Sequence, residues 1–228
     1  MFSFNVELAE LMIYDEIGPA WWGLIDGQSV IDALAQMEGK HVTARLNTPG
    51  GSVDEGIAIY NALKRHKAGV TTIVDSLAAS MGSYLLQAGD RRIVASNAMV
   101  MIHDPWTIAF GNSTEMRKSA DVLDKYAQRM VPDYAGRSGK TDAEIVAIMA
   151  EETWYAGKEI VDAGFADEIE TIERDVEPSS KALAHICKKP APAVLFEKRD
   201  RAKKAADELR PFARREAAKM AAKAIVVQ

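Results

Sequence analysis

Ser80 stands in the run Ala78-Ala79-Ser80-Met81-Gly82-Ser83, between an apolar stretch of strand character at 70–74 and a short helical one at 83–88. At such a junction the amide of the next residue, Met81, is an unpaired donor of a first helical turn and points at incoming negative charge. The small neighbours Ala78, Ala79 and Gly82 leave room for a carbonyl group to approach. A second turn, Pro49-Gly50-Gly51, also follows a strand and precedes a helix, so the Gly51 amide is free and no side chain screens it. His103 ends the apolar run Met99-Val100-Met101-Ile102 and is followed by Asp104-Pro105, the place on a strand tip where a base would act. Each feature taken singly also fits a packing role. Together they supply a hydroxyl nucleophile, a general base and two converging amides for a developing oxyanion, which is the equipment of acyl transfer. Each preorganised amide is worth about 10²- to 10³-fold in rate. Ser76 and Ser83 are rival hydroxyls in the same window, whereas His41, His66 and His185 sit where solvated histidines are expected.

The elements that must carry these residues alternate between strand and helix patterns, as in repeated βαβ units with right-handed crossovers. Residues 11–14 read as a strand and 28–37 as a helix; Val42, Ala44 and Leu46 then alternate with polar neighbours up to the Pro49-Gly50-Gly51 turn. Beyond it Val53, Ile57, Tyr60 and Leu63 share one helix face, and Lys64-Arg65-His66-Lys67 suits that helix's C-terminus. The unit repeats through the strand at 70–74, the Ser80 turn and the helix at 83–88 closed by Gly89, so both turns are expected at one sheet edge. Residues 93–95 and 99–102 add strands. Asn112 with Glu115 and Thr141 with Glu144 have capping-box spacing and open two further helices. The first of these, expected over 112–130, carries an apolar stripe of Met116, Ala120, Leu123, Ala127 and Met130. A last short helix is expected at 159–163, stopped by Gly164.

At 228 residues, 48% hydrophobic and 27% charged, the chain suits one α/β core plus an appendage. The single cysteine, Cys187, excludes an internal disulfide and a metal site built on cysteine pairs. The first thirty residues hold Glu7, Glu10, Asp15 and Glu16 and lack a continuous apolar stretch, so neither signal peptide nor membrane anchor is expected and a cytoplasmic location follows. The net charge of −5 conceals an asymmetry: residues 174–228 hold 14 Lys and Arg against 7 Asp and Glu, leaving 14 against 26 in residues 1–173. We read 1–173 as the working domain and 174–228 as a basic linker and charged tail, helical over 198–223 or disordered. Nucleic acid is a poor fit for that tail, because only Phe212 is interleaved with its basic residues and the acidic body would repel phosphate.

The motifs Asn47-Thr48-Pro49-Gly50-Gly51-Ser52-Val53, Gly56 to Tyr60, Ala78 to Ser83, Leu85 to Gly89 and Met101-Ile102-His103-Asp104-Pro105 together resemble the successive motifs of ClpP peptidases, over residues 11–169. The resemblance implies the ClpP/crotonase spiral of ββα units, Ser80 as nucleophile, His103 as base, and the Gly51 and Met81 amides as oxyanion hole. It implies no cofactor and no metal. Aligned without gaps, the family's catalytic aspartate falls on Glu152, with Glu151 the near rival. It also implies a homo-oligomeric ring, heptameric or doubled, acting on protein or peptide substrates. The short beginning, the basic tail, Glu152-Thr153-Trp154 and the run from Gly56 to Tyr60 look most like the ClpP-related head-maturation proteases of tailed bacteriophages and prophages, with a capsid or scaffold protein as substrate. The alternatives are a degradative subunit fed by an AAA+ unfoldase, a crotonase-type acyl-CoA enzyme, or an inactive ring subunit or scaffold whose tail binds a partner.

Overall fold

The computed structural model describes residues 2–170. The expected tail of 174–228, with its helix at 198–223, and the proposed boundary at 173 lie outside the described residues.

The core is a mostly parallel sheet in the order β1(Phe2–Asn5), β2(Glu10–Ile13), β3(Val42–Thr48), β4(Val70–Ala79), β5(Arg91–Ala95), β8(Glu168–Glu170). Strands β6(Met99–Ile102) and β7(Thr153–Ala156) branch from it, β6 pairing with β4 and β7 with β6. Burial alternates strictly along β3, whose Val42, Ala44, Leu46 and Thr48 are buried while the residues between are half-covered. The buried face packs on α1(Gly27–Gln36) through Val30, Ala33 and Leu34 and on α2(Val53–Arg65) through Ile59 and Leu63. The other face of β3 and β4 is partly open and polar, with Arg45 bidentate to Asp75 and Tyr14 donating to the same carboxylate.

Local chemistry sets the helix starts. The Asp26 side chain accepts from Ser29 N at 3.0 Å to cap α1, and the Glu55 carboxylate accepts from Gly27 N at 2.7 Å, tying the start of α1 to the first turn of α2. Both expected capping boxes form, at Asn112/Glu115 for α4(Ser113–Ser138) and at Thr141/Glu144 for α5(Asp142–Ala150). The chain completes its helices with α3(Met81–Leu86) and α6(Lys158–Asp162).

β4 is longer than its apolar run suggests and changes neighbour half-way. Its register with β3 runs to Leu46↔Val74 and resumes at Thr48↔Ala78, so one residue of β3 faces three of β4. Before this irregularity β4 pairs with β5, and after it Leu77, Ala78 and Ala79 pair with β6. The extra residues bend the strand and let β6 occupy the place β5 has left. β6 therefore runs parallel to the end of β4, and the residues that follow each strand, Ser80 and His103, emerge at the same edge.

α4 extends beyond the expected end at 130, through Pro132 to Ser138. From Met130 onward it packs into the core through Val131, Tyr134 and Ala135, whereas Met116, Ala120 and Val122 on its first half are exposed. The helix tolerates Pro132 because Pro132 and Gln128 are both exposed, so the carbonyl that loses its partner is one water can reach.

Candidate active site

Ser80 is held at φ 53°, ψ −123°, between the last residue of β4 and the first of α3. For a residue with a Cβ this conformation costs about 1–3 kcal/mol and persists only where the surroundings impose it. They do so here: Ser80 N donates to Met101 O at 2.9 Å on one side, and Ser80 O accepts from Ser83 N at 2.9 Å on the other. The strained turn lifts the hydroxyl off the end of the sheet.

The Pro49–Gly51 turn lies against the Ser80 turn. A Cβ on Gly50 would sit 2.6 Å from Ala79 O, 2.7 Å from Ser80 Cβ and 2.8 Å from Met81 N, so only glycine lets the turns touch. Gly51, at φ 138°, is bracketed by Ile17: Ile17 N donates to Gly50 O at 2.7 Å, and Ser52 N donates to Ile17 O at 2.8 Å. In this parallel bridge residue 51 turns its own N–H away from Ile17. Among the described residues, neither the Gly51 nor the Met81 amide donates a hydrogen bond.

His103 follows β6, and its Nε2 lies 2.9 Å from Ser80 Oγ. The ring is largely buried, its side chain 16% exposed. With the ring proton on Nδ1, Nε2 accepts the hydroxyl proton of Ser80. Glu152 arrives beside His103 by the antiparallel β6–β7 register, in which Ile102 faces Thr153. A shared acceptor fixes the approach: the Met149 carbonyl receives Asp104 N at 3.0 Å and Glu152 N at 3.2 Å. Glu152 Oε2 stands 3.9 Å from His103 Nδ1, an ion-pair distance beyond hydrogen-bond range, and its side chain is 59% exposed. Its backbone takes φ 49°, and Trp154 Nε1 donates to its Oε1 at 3.4 Å. Glu151 ends α5 and makes no ion pair with His103 among the described residues.

The rival hydroxyls stand elsewhere. Ser76 is exposed on β4, and Ser83 is fully buried and bonded to Ser80 O and Tyr134 Oη. His41 and His66 bond to Ala68 O, Thr71 Oγ1 and Lys40 O, at the opposite end of the sheet from Ser80.

Ser80 and His103 open into a cavity of about 740 Å³ whose walls include Ile17, Trp22, Gly51 and Trp106. Trp22 and Trp106 are 72% and 70% exposed, so two large apolar surfaces line the cavity, Trp22 meeting only the edge-on ring of Trp21, with centroids 6.5 Å apart, among the aromatic rings of the described residues. Among the described residues no group of His, Cys, Asp or Glu is arranged to hold a metal ion.

The Clp protease family profile matches residues 27–173, well over half of the chain. The chain belongs to the Clp protease family. It is a ClpP-type serine peptidase, and the family forms oligomeric rings that act on protein substrates. The α/β sheet described above fits a ClpP-like fold. The match takes in both turns, Ser80, His103 and Glu152, whereas Ile17 and Trp22 precede it. Sequence reasoning missed these two: Ile17 braces Gly51 through backbone atoms that its side chain does not advertise, and Trp22 lies on a short 3-10 turn, Ala20–Trp22, with no periodicity to reveal its direction. No helix among the described residues is long and apolar enough to cross a membrane.

Proposed function

We propose that this ClpP-type peptidase is an endopeptidase that works through an acyl-enzyme on Ser80. The observation that carries this is the 2.9 Å contact between Ser80 Oγ and His103 Nε2 at the floor of an open cleft. Ser80 Oγ attacks the carbonyl carbon of the scissile bond while its proton passes to His103 Nε2. The carbonyl oxygen, now anionic, lies between the unpaired Gly51 and Met81 amides. His103 returns the proton to the leaving nitrogen as the C–N bond breaks. Water then gives a proton to His103 and its oxygen to the acyl carbon; the ester bond breaks, and Ser80 Oγ recovers its proton from the imidazolium. Glu152 assists as a negative charge near Nδ1, and the walls of Trp22 and Trp106 suit a substrate with a bulky apolar side chain.

At the level of biology we infer a seven-membered ring, paired with a second through the exposed half of α4, that processes capsid or scaffold proteins during phage head assembly. The resemblance of the site motifs and the exposed Met116 and Val122 on α4 support this reading. The test combines fluorophosphonate labelling with mass spectrometry of the protein incubated with candidate structural proteins. Ser80 should be labelled and discrete cleavage sites should appear. Ser80→Ala and His103→Ala should each remove most turnover and the double variant should be little worse, because the two act as a unit. Losses that multiply independently would refute the assignment, and labelling with no discrete cleavage of capsid or scaffold would refute the head-assembly role.

A further inference from the structure

Behind the cleft, on the side of α3 that the mechanism does not use, three oxygens form a line. Ser83 Oγ lies 2.7 Å from Ser80 O and 2.8 Å from Tyr134 Oη. Ser83 is fully buried and Tyr134 is 1% exposed, so water does not compete for these bonds. A carbonyl oxygen cannot donate, so the single Ser83 proton goes to Ser80 O, and the Tyr134 proton must then go to Ser83 Oγ. The chain thus has one direction, from the Tyr134 hydroxyl through the Ser83 hydroxyl to the Ser80 carbonyl.

Tyr134 is fixed independently of this chain. It sits on the part of α4 that follows Pro132, and its ring meets Tyr84 and Phe165 edge-on, with centroids 5.7 and 6.2 Å away. Burial pushes the phenol's pKa above its ordinary value, opposed by the Ser83 bond, so the hydroxyl stays a donor.

The consequence lies at the other end of the same peptide bond. In a trans peptide the C=O and the following N–H point in opposite directions, so whatever fixes Ser80 O fixes Met81 N–H. Ser80 O is held on the buried side by Ser83 N at 2.9 Å, Tyr84 N at 3.3 Å and Ser83 Oγ at 2.7 Å. The hydroxyl bond is the shortest of the three. We propose that Ser83 and Tyr134 are positioning residues that lock the Ser80–Met81 peptide plane, so that the Met81 amide faces the reacting carbonyl oxygen. The inference rests on the Ser80 mechanism above and assigns Ser83, a rival nucleophile by sequence, the role of a brace.

Ser83→Ala and Tyr134→Phe each delete one oxygen and keep the shape of the side chain. Losing a preorganised oxyanion donor outright costs about 10²- to 10³-fold, and loosening one should cost roughly 10-fold. Each variant should therefore lower kcat for a fluorogenic peptide roughly 10-fold with KM within about twofold, and the double variant should be no worse than the poorer single one. A peptidyl trifluoromethyl ketone, whose bound form carries the oxyanion, should lose affinity by the same factor as kcat/KM falls. A merely structural role would not couple those two quantities. The inference is overturned if both variants keep wild-type kcat, or if kcat falls while ketone affinity holds. Fluorophosphonate labelling of the wild-type protein separates the two levels: an unlabelled Ser80 sinks the mechanism itself, whereas labelling with unchanged variants sinks only the brace.

Discussion

Glu152→Gln tests the proposed role of Glu152 beside His103. Two unit charges 3.9 Å apart interact by about 1 kcal/mol in bulk water and by about 4 kcal/mol at an effective dielectric near 20. With 59% of its side chain exposed, Glu152 belongs nearer the first value, and the absence of a hydrogen bond to Nδ1 removes the directional part of the interaction. The imidazolium formed during attack should then lose about 1–2 kcal/mol of stabilisation, which is roughly a 5- to 30-fold fall in kcat. A buried aspartate bonded to the imidazole is worth far more, about 10⁴-fold. The assay is kcat for a fluorogenic peptide, wild type against Glu152→Gln, at low salt and at about 1 M NaCl, where the Debye length of about 3 Å is shorter than the ion pair. The ratio should shrink at high salt, and Glu151→Gln should stay near wild type. A salt-independent loss beyond about 10³-fold would mean that Glu152 closes to a buried hydrogen bond. No loss in Glu152→Gln, with a defect in Glu151→Gln, would move the role to the neighbour.

Gly51→Ala should cut kcat by about 10²-fold or more while the protein still folds, because a Cβ there would lie 2.0 Å from Ile17 O and must push the amide out of place; wild-type kcat in this variant would remove Gly51 from the oxyanion hole. Arg92→Met should destabilise the domain by about 3 kcal/mol in urea unfolding at pH 7, since the nearly buried guanidinium bonds Asp167, Gln87 Oε1 and Gly164 O. Burial alone would raise the Asp167 carboxyl, but the Arg92 hydrogen bonds and charge outweigh it and leave its pKa lowered. That contribution is complete above the unfolded carboxyl value of about 3.9 and is lost as pH falls through the folded one, so the gap between wild type and Arg92→Met should narrow in acid. A gap that stays constant from pH 7 to pH 3 would show that the Asp167 charge is not involved.

What could be read in advance follows from how each element is stabilised. The capping boxes were legible because their signal is local: Asn112 with Glu115, and Thr141 with Glu144, satisfy each other's backbone within four residues. Strand β3 and helix α2 were legible because their apolar periods match the face they bury. Three things escaped. β7 is a four-residue strand with exposed Trp154, held by pairing with β6 rather than by an apolar face of its own. The end of β4 reads as a turn because Ala78 and Ala79 are small, yet both are buried strand residues paired with β6. By local rules α4 should stop before Pro132, and it continues because Tyr134 and Ala135 are buried beyond it.

The same division separates the parts of the site. Ser80, His103 and Gly51 stood out as candidates because each ends a strand or opens a turn, and chain position already says that such a residue is held by rigid structure. The angle of Met81 N–H, the bracing of Gly51 by Ile17 and the 3.9 Å gap to Glu152 are relations between segments far apart in sequence. A spacing cannot encode them, because each depends on contacts between distant segments: the Ile17–Gly51 bridge, the irregular register of β3 with β4, and the pairing of β6 with β7. The positions proposed for nucleophile and base are therefore marked by local sequence, while the geometry of the proposed oxyanion hole and the distance to Glu152 are properties of packing. Substitutions at Ile17, Ser83 and Tyr134 should accordingly tune the rate through the oxyanion hole while leaving the Ser80–His103 hydrogen bond in place.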